Sequence, residues 1–184
     1  MEKNRFTPDY ISDLGTKEVF VFGSNLLGYH LGGAAATACK YWGARWGVGE
    51  GWTSERTYAV PTLDECMERV SFGSLVKSFG KLIDEVKMNS DRVFYLTRVG
   101  VGIAGWHIED VRAALWLAVG EAWNLPDNLV IPWDFYYKEQ LQRQSLIEVA
   151  RAANTPEMRE QIHSQIADVE NRLAIIWDDI KSRE

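Results

Sequence analysis

The chain has 184 residues, of which 46% are hydrophobic and 25% charged, and a formal net charge of −6; this is enough to bury the core of one domain, or of one domain with an appendage. The hydrophobic content excludes a disordered chain, and no apolar run approaches the roughly 18 residues of a membrane-spanning helix. An acidic pI of about 5.2 argues against a duplex-DNA binder driven by bulk electrostatics, while a small anion held by backbone groups stays allowed.

Residues 1–13 are polar, with no apolar stretch after the basic residues, so no secretory signal is expected and the cytoplasm is the expected location. Residues 18–22, EVFVF, form the first strand candidate, ending at Gly23, and the alanine-rich stretch Gly33–Trp42 reads as a helix. A second strand is expected at 57–60, stopped by Pro61. Val70, Leu75, Val76, Phe79, Leu82, Ile83 and Val86 follow, mostly at three-and-four spacing, and suggest an amphipathic helix. Residues 92–97, RVFYLT, are the clearest strand. Ile108, Val111, Ala114, Leu115, Ala118, Val119 and Ala122 place a helix over 107–123, and 129–131 before Pro132 is a short last strand. This alternation predicts an α/β fold with parallel strand pairings. Cys39 and Cys66 lack CxxC spacing, which speaks against a disulfide framework or zinc knuckle. No His, Cys, Asp or Glu spacing suggests a metal site, and no cofactor is expected.

All 15 glycines lie between Gly15 and Gly120. The boundary is therefore drawn between an α/β domain at 1–137 and a helical tail at 138–184. In the tail, Asn154-Thr155-Pro156-Glu157 combines a capping residue, a first-turn proline and an early acid, so a helix starts there. Ile162, Ile166, Val169, Leu173, Ile176 and Ile180 then trace a heptad seam. With Leu141, Ile147 and Ala150 on the preceding helix, the tail reads as a helical hairpin or as a homodimer element.

Two glycine-rich segments each leave a strand and enter a helix. They are Gly23-Ser24-Asn25-Leu26-Leu27-Gly28-Tyr29-His30-Leu31-Gly32-Gly33 and Gly100-Val101-Gly102-Ile103-Ala104-Gly105-Trp106. Free N–H groups at a helix start favour phosphate, and missing Cβ atoms let an anion approach the backbone. Two such loops can grip a diphosphate between them; alternatively, both are only tight turns. Neither has the GxxxxGK[ST] form of a P-loop. Gly100 to Gly105 does match GxGxxG, which opens a Rossmann-like dinucleotide reading. That reading also wants the first strand and an acid at the end of the next one, whereas Glu121 and Asp127 lie in or just after a helix.

Together, Val19-Phe20-Val21-Phe22-Gly23-Ser24-Asn25, Gly32-Gly33-Ala34-Ala35, Gly49-Glu50-Gly51, Tyr58-Ala59-Val60-Pro61-Thr62 and Leu96 to Trp106 resemble the macrodomain superfamily. The likeness is to its compact, often phage-associated members and covers residues 18–133. It implies a three-layer α/β/α sandwich around a mostly parallel sheet, and a site for ADP-ribose or a related nucleotide. Some members remove ADP-ribose from modified proteins or nucleic acids. By resemblance, Gly23, Ser24 and Asn25 belong to the ligand site, with the Asn25 amide on the distal ribose. Gly32, Gly33 and Ala34 would meet the diphosphate from one side; Gly100, Val101, Gly102, Ile103, Ala104 and Gly105 would meet it from the other. Trp106 would stack on the ligand or wall the pocket. Ala35 stands about where hydrolytic members carry a catalytic aspartate, Ala104 where many carry an aromatic, and His107 replaces a common proline. No residue matches the adenine-reading aspartate, although Asp13 lies upstream of the first strand.

With Ala35 in that position, binding without chemistry is favoured over hydrolysis. If an ADP-ribosyl hydrolase is present, Asn25 positions the sugar and the water is helped either by a phosphate oxygen of the ligand or by Glu50, in a polar loop expected to be mobile, as substitute general base. His30 is either an acid–base group or an exposed loop histidine. Arg98 faces a phosphate or pairs with an acid. Glu109 and Asp110 serve the dipole of their helix, and Trp42, Trp46 and Trp52 either pack or stack a base. Sequestration of a NAD-derived signalling nucleotide and a pure interaction role are the other readings.

Overall fold

The computed structural model describes residues 6–183, which fall into two compact units divided between Phe135 and Tyr136. In the first, strands β1 (Glu18–Asn25), β2 (Gly51–Ser54), β3 (Thr57–Leu63), β4 (Val93–Leu96) and β5 (Leu129–Val130) form one sheet in the order β2-β3-β1-β4-β5. β1 runs parallel to β3 and β4, β4 runs parallel to β5, and only β2 is antiparallel. The unit is thus an α/β fold with a mixed, mostly parallel sheet.

Alternation along β1 divides the core. Phe20 and Phe22 join Ala59, Tyr95 and Val130 on one face, where α1 (Gly33–Trp42) covers them with Ala35, Ala38 and Trp42. On the other face Trp52 meets Tyr58 and Phe94 edge-on and donates its indole N–H to Glu85 of α2 (Phe72–Met88) at 2.8 Å. The helix α3 (Ile108–Val119) packs on α2. Helices therefore cover both faces, and β1 and β4, with apolar residues on both sides, are buried almost throughout.

Several boundaries differ from the sequence expectation for identifiable reasons. β1 continues past Gly23 because β3 continues past Pro61: the two pair as far as Asn25 and Leu63, with a register shift between Ser24 and Asn25. Pro61 is tolerated because β2 pairs only as far as Ala59, leaving that part of β3 an edge. β2 was not expected at all; four residues opening on Gly51 carry no alternation to read. Val70 lies before α2, whose start is fixed by Ser71 accepting from the Ser74 amide at 3.1 Å. The 107–123 helix stops at Val119, with Gly120 as its cap at φ 99°.

The second unit is a helical hairpin of α4 (Lys138–Ala152) and α5 (Pro156–Lys181). Thr155 caps α5 by accepting from the Met158 amide at 3.2 Å. Of the heptad seam, Ile162, Val169, Leu173 and Ile180 are buried. Arg143 pairs with Glu170 at 2.9 Å across the two helices. No helix among the described residues is long and apolar enough to cross a membrane.

Candidate functional site

The order of the strands creates a crevice. The connection leaving β1 leads to the β3 side of the sheet, and the connection leaving β4 leads the opposite way to β5. Such a switch point leaves a gap outside the carboxyl ends of the two strands, where α/β folds take their ligands. A cleft of about 470 Å³ lies there. Its lining brings together Gly23, Ser24, Asn25, Gly32, Gly33 and Ala34 from the first loop with Gly100, Gly102, Ile103 and Ala104 from the second. Val101, Gly105, Trp106 and Glu50 are outside the lining.

The first loop is sealed by its own polar groups. Asn25 is 7% exposed; its Nδ2 donates to the Tyr29 carbonyl at 2.8 Å and its Oδ1 accepts from the Tyr29 amide at 3.0 Å. The residue thus lines the cleft while closing the loop. The Ser24 hydroxyl donates to the Gly49 carbonyl. Gly49 itself admits no side chain, since a Cβ there would stand 2.3 Å from the Asn25 carbonyl oxygen. The GEG segment therefore braces the loop from behind.

The loop ends at α1, whose cap, Gly32, offers no side-chain bond and whose first turn carries no acid. Among the described residues no acceptor takes the backbone N–H of Gly33, Ala34 or Ala35. An uncapped helix start is a site of partial positive charge.

The second loop is fixed by its tryptophan. Trp106 is 9% exposed, and its indole N–H donates to the Thr62 carbonyl at 3.1 Å. Gly100, at φ 79°, lies on that ring: a Cβ would come within 3.2 Å of Trp106 Cδ1. Arg69 stands over the same ring and donates to the Gly105 carbonyl at 3.3 Å. Trp106 is thus an anchor under the loop, and the expected stacking wall is not formed by it. Gly105 and Trp106 amides close back on the Gly102 and Gly100 carbonyls, whereas the amides of Val101, Gly102, Ile103 and Ala104 have no acceptor among the described residues.

Comparison with protein-family models, with curated proteins and with solved structures returns no match. The chemistry of the cleft is therefore read from its own residues.

Glu50 is held elsewhere. Its carboxylate accepts from Ser78 at 3.0 Å and pairs with Lys81 at 2.6 Å, both on α2. Arg98 does line the cleft, but its guanidinium is shared between Asp134, at 2.9 Å, and Asp9. Those bonds hold it protonated. His30 is neither exposed nor in the lining: it is 3% exposed, edge-on to Phe22 and Trp46, with Nε2 3.2 Å from the Arg45 carbonyl. Burial pushes its imidazole below the ordinary value of 6.5, against the opposing pull of the Arg45 and Val48 carbonyls. Trp42, the last residue of α1, packs in the core, while Trp46 stacks on Tyr29 with centroids 5.4 Å apart.

The sequence reading missed part of the lining. Thr62, Leu63 and Met67 come from the end of β3 and the turn after it; Tyr29 and Leu31 come from the first loop. Met67 carried a usable signal as a large apolar side chain between acids, in Asp64-Glu65-Cys66-Met67-Glu68-Arg69. No carboxylate or imidazole is among the lining residues, and the Ser24, Thr62 and Thr97 hydroxyls each donate to a backbone carbonyl. What the cleft offers is backbone N–H groups, a shared guanidinium, the Tyr29 phenol and apolar side chains.

Proposed function

We propose that the first unit is a macrodomain-like module that binds ADP-ribose, or a related nucleotide diphosphate, between its two glycine loops and retains it without turnover. The observation that carries this reading is that two sets of backbone amides without an acceptor among the described residues, Gly33 to Ala35 and Gly102 to Ala104, belong to residues that line one cleft. A diphosphate presents oxygens on two sides and takes N–H donors from both. The cleft volume falls within the roughly 300–1,000 Å³ of small-molecule sites. The resemblance of FGSN, GEG, YAVPT and GVGIAG to macrodomain segments supports the same ligand class.

Retention is favoured over hydrolysis by the charge inventory. Activating a water takes a base within reach, yet no carboxylate or imidazole is among the lining residues, and Glu50, the base expected from the sequence, is engaged by Ser78 and Lys81. Sequestration of a NAD-derived signalling nucleotide is the biological form this reading takes. A modified protein or nucleic acid presenting ADP-ribose is the other partner it admits.

Isothermal titration calorimetry with ADP-ribose, ADP and AMP tests the reading. The expected order is ADP-ribose and ADP in the micromolar range and AMP weaker by tenfold or more, because AMP lacks the second phosphate. Gly102→Glu, at a glycine with open space around its Cβ position, places a carboxylate beside the diphosphate and is expected to abolish binding. Absence of nucleotide binding in the parent chain contradicts the reading. Release of free ADP-ribose from a modified protein contradicts retention alone.

A further inference from the structure

The side chains that line the cleft have little directional chemistry left for a base. Both ends of the Asn25 amide are engaged by Tyr29, and the three hydroxyls are engaged by carbonyls. Arg98 is shared by two carboxylates. The Tyr29 hydroxyl both donates and accepts, so it complements any base edge. Reading a base takes donors and acceptors in a fixed pattern, and among the described lining residues no side chain supplies one.

The mouth has a different character. Leu31 and Ile103 are 78% and 79% exposed, and Tyr29 and Met67 are also exposed. They come from three separate loops and all line the cleft. Tyr29 is braced by its stack on Trp46. Met67 sits at the tip of a tight turn in which Asp64 Oδ1 accepts from the Cys66 and Glu68 amides at 2.8 and 2.9 Å. Its backbone is held at φ 63°, a conformation that non-glycine residues seldom take. A rim of flexible thioether, aliphatic and aromatic groups contacts flat rings of different sizes without hydrogen-bond selection.

We infer that the cleft selects its ligand by the diphosphate and is indifferent to the nucleobase, taking purine and pyrimidine nucleoside diphosphates alike. This rests on the diphosphate reading of the same cleft and adds what lies beyond the phosphates. The amides choose the anion, and the rim of Tyr29, Leu31, Met67 and Ile103 holds whichever base accompanies it.

Calorimetry of the full chain with ADP, GDP, UDP and CDP decides the point. The four dissociation constants are expected to fall within tenfold of one another, whereas a site built to hydrogen-bond one base rejects others by far larger factors. Met67→Gly removes the thioether at a backbone conformation that glycine takes freely, and it is expected to weaken all four at least threefold without changing their order. A preference above tenfold for one base overturns the inference while leaving the diphosphate site intact. So does a Met67→Gly chain that binds all four as tightly as the parent, because the rim would then hold no base. Failure of all four to bind overturns the diphosphate site and the inference with it.

Discussion

The two glycine loops reach one cleft by different means. The first is closed by small residues and short polar bonds: Asn25 to Tyr29, Ser24 to Gly49, and a backbone approach that only glycine at 49 permits. The second rests on one large ring, Trp106, tied to β3 through Thr62 and covered by Arg69. Both constructions leave backbone amides without acceptors among the described residues. The difference teaches that a glycine-rich loop needs an anchor as much as it needs glycine, and that the anchoring residue is easily mistaken for a ligand contact.

The largest expected effect breaks the second loop. Trp106→Ala removes a buried ring and its hydrogen bond and is expected to cost about 3–5 kcal/mol, read as the loss in unfolding free energy from urea titration. Gly49→Ala breaks the first loop by steric clash with backbone that cannot yield, with an expected cost of about 1–3 kcal/mol in the same assay. The reverse order, with Gly49→Ala the more damaging, would make the first loop the principal support of the site.

These contrasts explain what the sequence revealed and what it hid. The strands β1, β3 and β4 and the helices α1, α2, α3 and α5 were legible because each carries its own periodicity or caps. The strand β2 was hidden because Gly51-Trp52-Thr53-Ser54 is ordered by pairing with β3, a contact remote from local pattern. The cleft was legible in its glycines, because Gly23, Gly32, Gly33, Gly100 and Gly102 all line it. Trp106 and Glu50 were misplaced because residue type and neighbours do not say which way a side chain turns. Trp106 turns under its loop toward Thr62, and Glu50 turns to Ser78 and Lys81 on α2. Met67 was missed because a turn between a strand and a helix has no periodicity to mark which residue reaches the site.

Smaller effects sharpen the comparison further. His30 lies only in the first loop, so only that loop carries an imidazole whose proton uptake opposes folding. Burial holds the folded-state value below 6.5, so the unfolded chain binds that proton first as pH falls. The stabilisation from the neutral ring is complete above 6.5 and is lost as pH drops from there through the folded-state value. Urea midpoints measured between about pH 7.5 and 5.5 should therefore fall with pH, and His30→Phe should make that fall shallower. Glu50→Gln gives the smallest change: loss of a partly exposed ion pair costs less than about 1 kcal/mol. Nucleotide affinity should be unchanged, whereas a large loss would return Glu50 to the site.

The central claim is that amides from both loops hold one diphosphate. Backbone amide NMR of the full chain during titration with ADP-ribose tests it most directly. The account predicts that Gly33, Ala34 and Ala35 shift together with Gly102, Ile103 and Ala104, along one saturation curve. Shifts confined to one loop, or to residues outside the cleft, would contradict it.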